Sequence, residues 1–196
     1  MTKEYTANIH SIYGIIGAHN ESVEDRETND FYATSPVAIK ELLKIETLSN
    51  NVWECACGLG HLAKPLVEAG YNVKSTDLID RGFGTGGIDF LECCEQFDGD
   101  IITNPPYKYA EDFIRHAMDI LPTGRRIYLL LKVQFLEGKK RRDLFEEYPP
   151  KVIYVSTSRI KHGRNGDFSR ANSMMAVAWY VWEKGYTGET VIKWFN

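Results

Sequence analysis

The amino-acid sequence predicts an α/β domain in which an open, mostly parallel sheet carries helices on both faces. Apolar runs of strand length alternate with helical patterns along the chain, which is typical of strand–helix–strand units. Two late strand-type runs follow each other without a helical pattern between them, which predicts an antiparallel pair at one edge of the sheet. In such sheets ligands bind beyond the carboxyl ends of the strands, so the loops there carry the candidate site residues.

Length and charge limit the domain count and the function classes. The chain has 196 residues, which suits one compact domain. We expect a polar, partly flexible segment over residues 1–30 and a single domain over residues 31–196. The formal net charge of −4 excludes a wholly basic surface, so any contact with nucleic acid must come from local patches.

Three helices are predicted from apolar spacing and from the residues that begin and end them. The first helix has Ser35 as its cap and Pro36 as its first residue. A second helix spans residues 62–69 and ends at Gly70. A third, amphipathic helix spans residues 110–121.

The predicted strands are apolar runs, the late ones rich in β-branched and aromatic residues. They span residues 51–56, 72–76, 100–103, 126–132, 151–156 and 175–182. Residues 81–87 form a glycine-rich loop, and residues 158–173 form a polar loop between the last two strands. We expect Trp179, Trp182 and Trp194 to pack against the terminal strands.

The cysteine pattern indicates a reducing, cytoplasmic compartment. The first residues lack the apolar core of a secretory signal, and Cys55 and Cys57 are expected to be buried free thiols. Neither the cysteines nor the histidines have the spacing of a metal site, so no metal is expected. No apolar run approaches the roughly 20 residues that a membrane span needs, so no membrane partner is expected.

The first motif that carries chemistry is a glycine turn with a distant acidic partner. Gly58 and Gly60 directly follow a predicted strand and allow a tight turn and close approach of a ligand. Asp77 ends the next strand, where an acidic residue is the usual acceptor for ribose hydroxyls. A plain structural turn is the rival interpretation, but the spacing to Asp77 favours a nucleoside cofactor.

The second motif is Asn104-Pro105-Pro106-Tyr107, at the end of the predicted strand 100–103. Two prolines set a rigid, extended backbone and remove two N–H donors. The amide oxygen of Asn104 and the carbonyl of Pro105 can therefore accept hydrogen bonds from one NH₂ group, while Tyr107 can stack on the planar group that carries it. An ordinary turn is the rival interpretation.

At this point the sequence resembles a known family. The segments ECACGLG, STD, IDF and TNPPY, in that order, are similar to the motifs of class I S-adenosylmethionine-dependent methyltransferases that methylate amino groups. The segment NDFYATSP is similar to an aromatic-Thr-Pro motif found in many N6-adenine enzymes. The resemblance covers about residues 29–194 and is strongest to small phage and prophage DNA N6-adenine methyltransferases. It implies a Rossmann-like fold with a mostly parallel, seven-stranded sheet and an antiparallel edge strand.

The resemblance also implies roles for individual residues around S-adenosyl-L-methionine. Glu54 would approach the methionine amino group, Asp77 the ribose and Asp89 the adenine amine. Further cofactor contacts would come from Tyr32, Thr34, Cys55, Ala56, Gly58, Gly60, Leu78, Phe90 and Asn104, with Tyr32 and Thr34 closing over the methionine end and Phe90 packing beside the adenine. Catalysis would rest on Asn104, Pro105, Pro106 and Tyr107, which hold the target amine.

Two basic segments are candidates for substrate contact, with DNA as the expected substrate. Lys139, Lys140 and Arg141 follow the apolar strand 126–132, and Phe135 precedes them as a candidate wall of the base pocket. Lys161, Arg164 and Arg170 lie in the polar loop with Phe168 between them, a pattern that suits nucleic acid. A solvated surface is the rival interpretation for both segments.

Several alternatives stay open at this stage. The same Asn-Pro-Pro-Tyr chemistry serves the amines of RNA adenine and cytosine and a protein glutamine amide, because each presents a planar NH₂ group. An NAD-dependent oxidoreductase shares the strand–glycine–acidic pattern, although it leaves the Asn-Pro-Pro-Tyr motif unexplained. A binding module of the same fold without catalysis is the third alternative. The sequence does not indicate an oligomeric state.

Overall fold

A computed structural model describes residues 32–158, 160, 162–164 and 176–196 of the chain. The predicted segment 1–30 and most of the loop 158–173 lie outside these ranges. The predicted domain organisation therefore stays a prediction.

The described residues form a seven-stranded sheet. Its strands are β2 (Asn51–Glu54), β3 (Asn72–Ser75), β4 (Asp100–Thr103), β5 (Arg126–Lys132), β6 (Val152–Ser156), β8 (Val177–Glu183) and β9 (Val191–Phe195). Their order in the sheet is β3-β2-β4-β5-β8-β6-β9, and the four strands β2 to β5 pair in parallel. This mostly parallel, seven-stranded sheet confirms the predicted Rossmann-like fold class.

The antiparallel strand lies inside the sheet, which corrects the expected antiparallel edge. β8 runs antiparallel to both of its neighbours, β5 and β6, as the missing helix between the late runs predicts. The edge beyond β6 is taken by β9, which pairs with β6 in parallel. The sequence does not predict β9, because this five-residue run is short and its polar and apolar residues do not alternate.

The edge position of β9 also explains the one tryptophan expectation that is wrong. Trp179 and Trp182 are fully buried in β8, as expected, whereas Trp194 in β9 is 67% exposed. A strand with a neighbour on one side only has fewer side chains to pack against, so its large residues keep contact with solvent.

Helices cover both faces of the sheet and enclose two apolar clusters. The helices are α1 (Val37–Leu42), α2 (Ala63–Glu68), α3 (Ala110–Ile120) and α4 (Arg142–Glu147). Ile101 of β4 belongs to the cluster beneath α3 and α4, and the next residue, Ile102, belongs to the cluster beneath α1 and α2. Such a strand is buried on both faces, because successive side chains point to opposite sides. None of the helices in the described ranges has the length and apolar character that crossing a membrane requires.

A second, two-stranded sheet lies outside the main one. β1 (Tyr32–Thr34) pairs antiparallel with β7 (His162–Arg164), so that Thr34 faces His162 and Tyr32 faces Arg164. The predicted polar loop 158–173 therefore contains a strand. Its short, charged sequence gives no strand signal, and the strand forms by pairing with a segment almost 130 residues earlier, which sequence patterns cannot reveal.

Candidate active site

The candidate site is built from the segments that follow β2, β3 and β4. These three strands are parallel, so their carboxyl ends meet at one edge of the sheet. The segments that leave this edge carry the glycine turn, Asp77 and the Asn-Pro-Pro-Tyr motif. The predicted motifs thus lie on neighbouring strands.

The glycine turn after β2 is closed by backbone hydrogen bonds. The N–H of Gly60 donates to the carbonyl of Cys57 at 2.8 Å, and the N–H of Cys57 donates to the carbonyl of Thr76 at 3.0 Å. Gly58 and Gly60 have φ values of +55° and +80°, in the left-handed region where a side chain is costly. A Cβ atom on Gly60 would lie 2.5 Å from the ring of Phe83. Gly60 is thus required by the packing of Phe83 as well as by the turn.

Asp77 is the residue that ties the glycine turn to the next strand. Its carboxylate accepts hydrogen bonds from the backbone N–H groups of Gly58 and Ile79, both at 2.8 Å. The two bonds use different oxygens, and each carboxylate oxygen has two lone pairs, so the group can accept further hydroxyl donors. The side chain of the following residue, Leu78, is exposed and offers an apolar surface beside this carboxylate.

Glu54, the last residue of β2, is a carboxyl group buried at the centre of the site. It is 1% exposed, and burial, with a smaller contribution from nearby Asp77, raises its pKa to about 8. The nearby Thr103 hydroxyl and the Ala56 N–H, which donates to this carboxyl, oppose part of the rise in pKa. At neutral pH the group therefore keeps its proton unless a cation binds beside it.

The two cysteines of the turn are buried free thiols, as predicted. Burial raises the pKa of Cys57 to about 12, and burial next to Glu54 raises the pKa of Cys55 well above its usual value. Neither thiol supplies a thiolate nucleophile at neutral pH, since the thiolate is the reactive form. Both side chains therefore act as packing residues around the turn.

Asp89 and Phe90 lie in the segment between β3 and β4 and have structural roles of their own. The Asp89 carboxylate accepts a hydrogen bond from the N–H of Leu91 at 2.9 Å and caps a short 3₁₀ helix, Phe90–Glu92. Phe90 is 2% exposed and its ring packs edge-on against Trp53, with ring centroids 5.3 Å apart. The structure therefore places Phe90 in the core, and the expected adenine contact stays a prediction.

The Asn-Pro-Pro-Tyr motif leaves the end of β4 with all its peptide bonds trans. Asn104 donates a hydrogen bond from its side-chain Nδ2 to the Oγ1 of Thr34 at 2.8 Å. Pro105 is buried, and Tyr107 is partly buried against the core. The Nζ of Lys132 lies 5.1 Å from the centre of the Tyr107 ring, within cation–π distance.

The motif lies close to the glycine turn in the folded chain. Thr103 directly precedes Asn104, and its buried hydroxyl is close enough to Glu54 to lower the pKa of that carboxyl, which Asp77 in turn raises. Asn104, Glu54 and Asp77 therefore lie near one another at the same edge of the sheet, and their joint role in one site stays a prediction.

The first basic segment differs from the sequence prediction in two of its residues. Phe135, expected as a wall of the base pocket, is buried against Phe145 and Tyr180. Arg141, expected to contact phosphate, lies over the Phe135 ring at 4.6 Å and donates to the carbonyls of Gln134, Phe135 and Glu137. These contacts make Arg141 a clamp on its own loop. Lys139 and Lys140 are exposed.

The second basic segment is described only in part. Lys161 and Arg170 lie outside the described residues, and Arg164 and Tyr32 are described by their backbone in β7 and β1. The pairing of β7 with β1 brings the backbone of β7 next to Thr34, whose side chain contacts Asn104. Its contact with substrate stays a prediction.

Sequence reasoning missed three residues of the site: Phe83, Thr103 and Lys132. Phe83 is an aromatic residue in the middle of a glycine-rich loop, which is a detectable signal. Thr103 and Lys132 are the last residues of β4 and β5, so their position at the carboxyl end of a strand also marks them. Their partners, Glu54 and Tyr107, can be assigned only from the folded chain.

Comparison with known proteins supports the fold and leaves the family open. No protein-family model matches the sequence, and no curated protein matches it either. Among solved structures, the chain is similar to a candidate class I S-adenosylmethionine-dependent methyltransferase from Listeria monocytogenes, with a TM-score of 0.53, 12% identity, and coverage of 94% of this chain and 70% of the other.

Two further structures have comparable similarity. One is a candidate RNA methyltransferase from Pyrococcus horikoshii, with a TM-score of 0.54, 16% identity, and coverage of 91% of this chain and 98% of the other. The second is a candidate hemolysin from Lactococcus lactis, with a TM-score of 0.55, 13% identity, and coverage of 79% and 88%. Identities this low show a shared fold alone, which hosts different functions.

Proposed function

We propose that the chain is an S-adenosylmethionine-dependent methyltransferase that methylates an exocyclic amino nitrogen, with adenine N6 in DNA as its substrate. The observation that carries the proposal is the position of the Asn104–Tyr107 motif at the end of β4, the strand that pairs in parallel with β2, from which the glycine turn leaves. The fold of the chain is that of class I methyltransferases, and it makes S-adenosylmethionine the expected cofactor.

The residues around the glycine turn fit such a cofactor. Asp77 has lone pairs left after its two backbone hydrogen bonds, which suits ribose hydroxyls. Glu54 is a buried carboxyl group whose raised pKa is lowered again by a bound cation, which suits the methionine ammonium. When bound, the cofactor supplies an electrophilic sulfonium methyl group.

The Asn-Pro-Pro-Tyr motif would hold the amine that accepts the methyl group. Asn104 turns its Nδ2 to Thr34, so its Oδ1 is the amide atom that can accept from the substrate. Together with the Pro105 carbonyl it would stabilise the positive charge that develops on the nitrogen. An aromatic amine needs no strong base before attack, and its surplus proton can leave to solvent after transfer. The protein contributes position rather than acid–base chemistry.

Nucleic acid is the favoured substrate class because of the charges near the motif. Lys132 lies beside the Tyr107 ring, and Lys139 and Lys140 are exposed on the loop that follows the same strand. A base that stacks on Tyr107 would bring its phosphates toward these ammonium groups. For duplex DNA the base must be flipped out at a cost of a few kcal/mol, which stacking on Tyr107 would partly offset.

RNA is the second candidate substrate, since one structure of similar fold is a candidate RNA methyltransferase. A transfer assay with labelled S-adenosylmethionine separates the candidates. Duplex DNA, single-stranded DNA, RNA and a glutamine-containing protein would be supplied in parallel, with methylated bases identified by mass spectrometry. N6-methyladenine in DNA is the expected product, and methyl transfer confined to RNA or protein would contradict the DNA assignment.

Calorimetry with S-adenosylmethionine and NADH tests the cofactor, and binding of NADH alone would refute the whole proposal.

The substitution Asn104→Ala tests the role of the motif directly. It removes one acceptor of the developing charge, so we expect a loss of roughly 10²–10³-fold in turnover with little change in cofactor affinity. Turnover under saturating substrate and calorimetric cofactor binding are the two measurements. Equal turnover in the variant and the parent protein would refute the role of Asn104.

A further inference from the structure

The hydrogen bond between Asn104 and Thr34 joins the proposed catalytic motif to a strand outside the main sheet. Thr34 is 3% exposed, and its Oγ1 accepts from the Nδ2 of Asn104 at 2.8 Å. The two residues lie 70 positions apart in the sequence, so this contact exists only in the folded chain. The resemblance considered above gave Thr34 a different role, closure over the methionine end of the cofactor.

We propose that Thr34 is a positioning residue, which sets the orientation of the Asn104 side-chain amide. The inference rests on the proposed function, in which the amide oxygen accepts from the target amine. An amide group has a donor end and an acceptor end on the same carbon, so the observed bond from the NH₂ end to Thr34 leaves the oxygen end as the acceptor for the substrate amine. The reversed orientation would present an NH₂ group to the substrate amine, and two donors repel each other.

The surroundings of Thr34 hold its hydroxyl in place. Its backbone pairs with that of His162 in the two-stranded sheet, and the next residue, Ser35, accepts from the N–H of Ala38 at 2.9 Å where α1 begins. A β-branched side chain on a paired strand that runs directly into a helix loses little further entropy when it makes this bond. Thr34 therefore offers Asn104 a preorganised partner. Residues that support a substrate-contacting side chain in this way commonly fix its orientation.

The substitution Thr34→Val tests the inference, because it keeps the shape and strand propensity and removes only the hydroxyl. We expect turnover to fall about tenfold, since a poorly oriented acceptor costs rate. Cofactor affinity should stay within about twofold, and Thr34→Ser should restore most of the turnover because it restores the acceptor. Thr123→Val, at an exposed threonine in the loop between α3 and β5, is the matched control and should behave like the parent protein. Thermal unfolding confirms that each variant is folded.

A double-mutant cycle shows whether Thr34 acts through Asn104. In an Asn104→Ala background, Thr34→Val should have no further effect on turnover, because the group that it orients is gone. An equal loss in both backgrounds would overturn the inference. So would a Thr34→Val protein that keeps its turnover and loses cofactor affinity, which would assign Thr34 to the cofactor instead.

Failure of the inference and failure of the proposed function give different results. A parent protein that methylates none of the supplied substrates would contradict the proposed function alone. The orientation of Asn104 can then be followed by the NMR signals of its side-chain NH₂ group, which should shift in Thr34→Val and stay in place in Thr123→Val. Unchanged NH₂ signals in Thr34→Val would overturn the inference in either case.

Discussion

Among single residues, Glu54 gives the site its pH dependence. Its pKa is raised from 4.5 to about 8, so between these values the folded protein keeps a proton that the unfolded chain has lost. Because the folded state then binds more protons, the free energy of unfolding falls as pH rises through this window. The fall ends above pH 8, where both states are ionised.

Glu54→Gln should remove this part of the pH dependence. We expect the variant to melt at least about 2–4 °C higher than the parent protein at pH 8, the shift that 1 kcal/mol produces in a domain of this size. The difference should shrink toward pH 5, where the parent carboxyl is already neutral. Melting temperatures from pH 5 to 9 provide the measurement, and parallel curves for the two proteins would show that Glu54 is not the group responsible.

Gly60 is the residue whose replacement should destabilise the turn most. Gly60→Ala forces alanine to adopt a left-handed φ of +80° and places a Cβ atom 2.5 Å from the Phe83 ring. We therefore expect a loss of about 2–4 kcal/mol in unfolding free energy. Gly82→Ala is a matched control, with φ +78° and nothing within 4 Å of its Cβ, and it should lose only about 1–2 kcal/mol. Denaturant titration compares them. Equal losses would mean that the Phe83 ring moves aside without cost.

At the scale of elements, the positive residues of the loop after β5 differ in role: Arg141 binds the loop itself, whereas Lys139 and Lys140 are exposed. Arg141 donates to three backbone carbonyls, and these hydrogen bonds are exposed or only partly buried. Arg141→Ala should therefore lower the unfolding free energy by about 0.5–1.5 kcal/mol, the net worth of a typical hydrogen bond. Lys139 and Lys140 are exposed, and their replacement by glutamine should leave stability within about 0.5 kcal/mol. Denaturant titration measures both effects, and an unchanged stability of Arg141→Ala would contradict the clamp.

Lys139 and Lys140, which should hardly affect stability, should affect substrate binding if they contact phosphates. If both contact phosphates, their joint replacement should reduce the slope of log affinity against log salt by up to about 1.8 for duplex DNA. Fluorescence anisotropy with labelled DNA at several salt concentrations measures this slope. A slope identical to that of the parent protein would remove this loop from the substrate interface.

The elements also show which parts of the fold the sequence can predict. The strand 100–103 and the strand 126–132 are predicted with their observed bounds, because both are apolar runs buried on two faces. β7 and β9 are not predicted, since short strands at edges owe their existence to a partner rather than to their own pattern. Because β9 is not predicted, the antiparallel strand is expected at the edge of the sheet rather than inside it.

For the molecule as a whole, strand order accounts for how much of the candidate site can be predicted. Parallel strands bring their carboxyl ends together, so motifs at strand ends can be assigned to one edge of the sheet from sequence alone. Contacts such as Thr34 with Asn104, or Arg141 with its own loop, depend on side-chain directions after folding and carry no sequence signal. At Phe135 the sequence gives a signal that does not decide the environment, because an aromatic residue near a strand end can lie in the core or in a pocket.

The exposed Trp194 gives the protein a built-in optical reporter. Three of its four tryptophans are buried within the sheet, and only Trp194 faces water. Iodide or acrylamide should therefore quench one emission component selectively, and Trp194→Phe should abolish that component. Emission that is quenched uniformly would contradict this assignment. Because Trp194 lies on the edge strand, loss of its quenching in the presence of another molecule would reveal that the edge has been covered, without any label being attached.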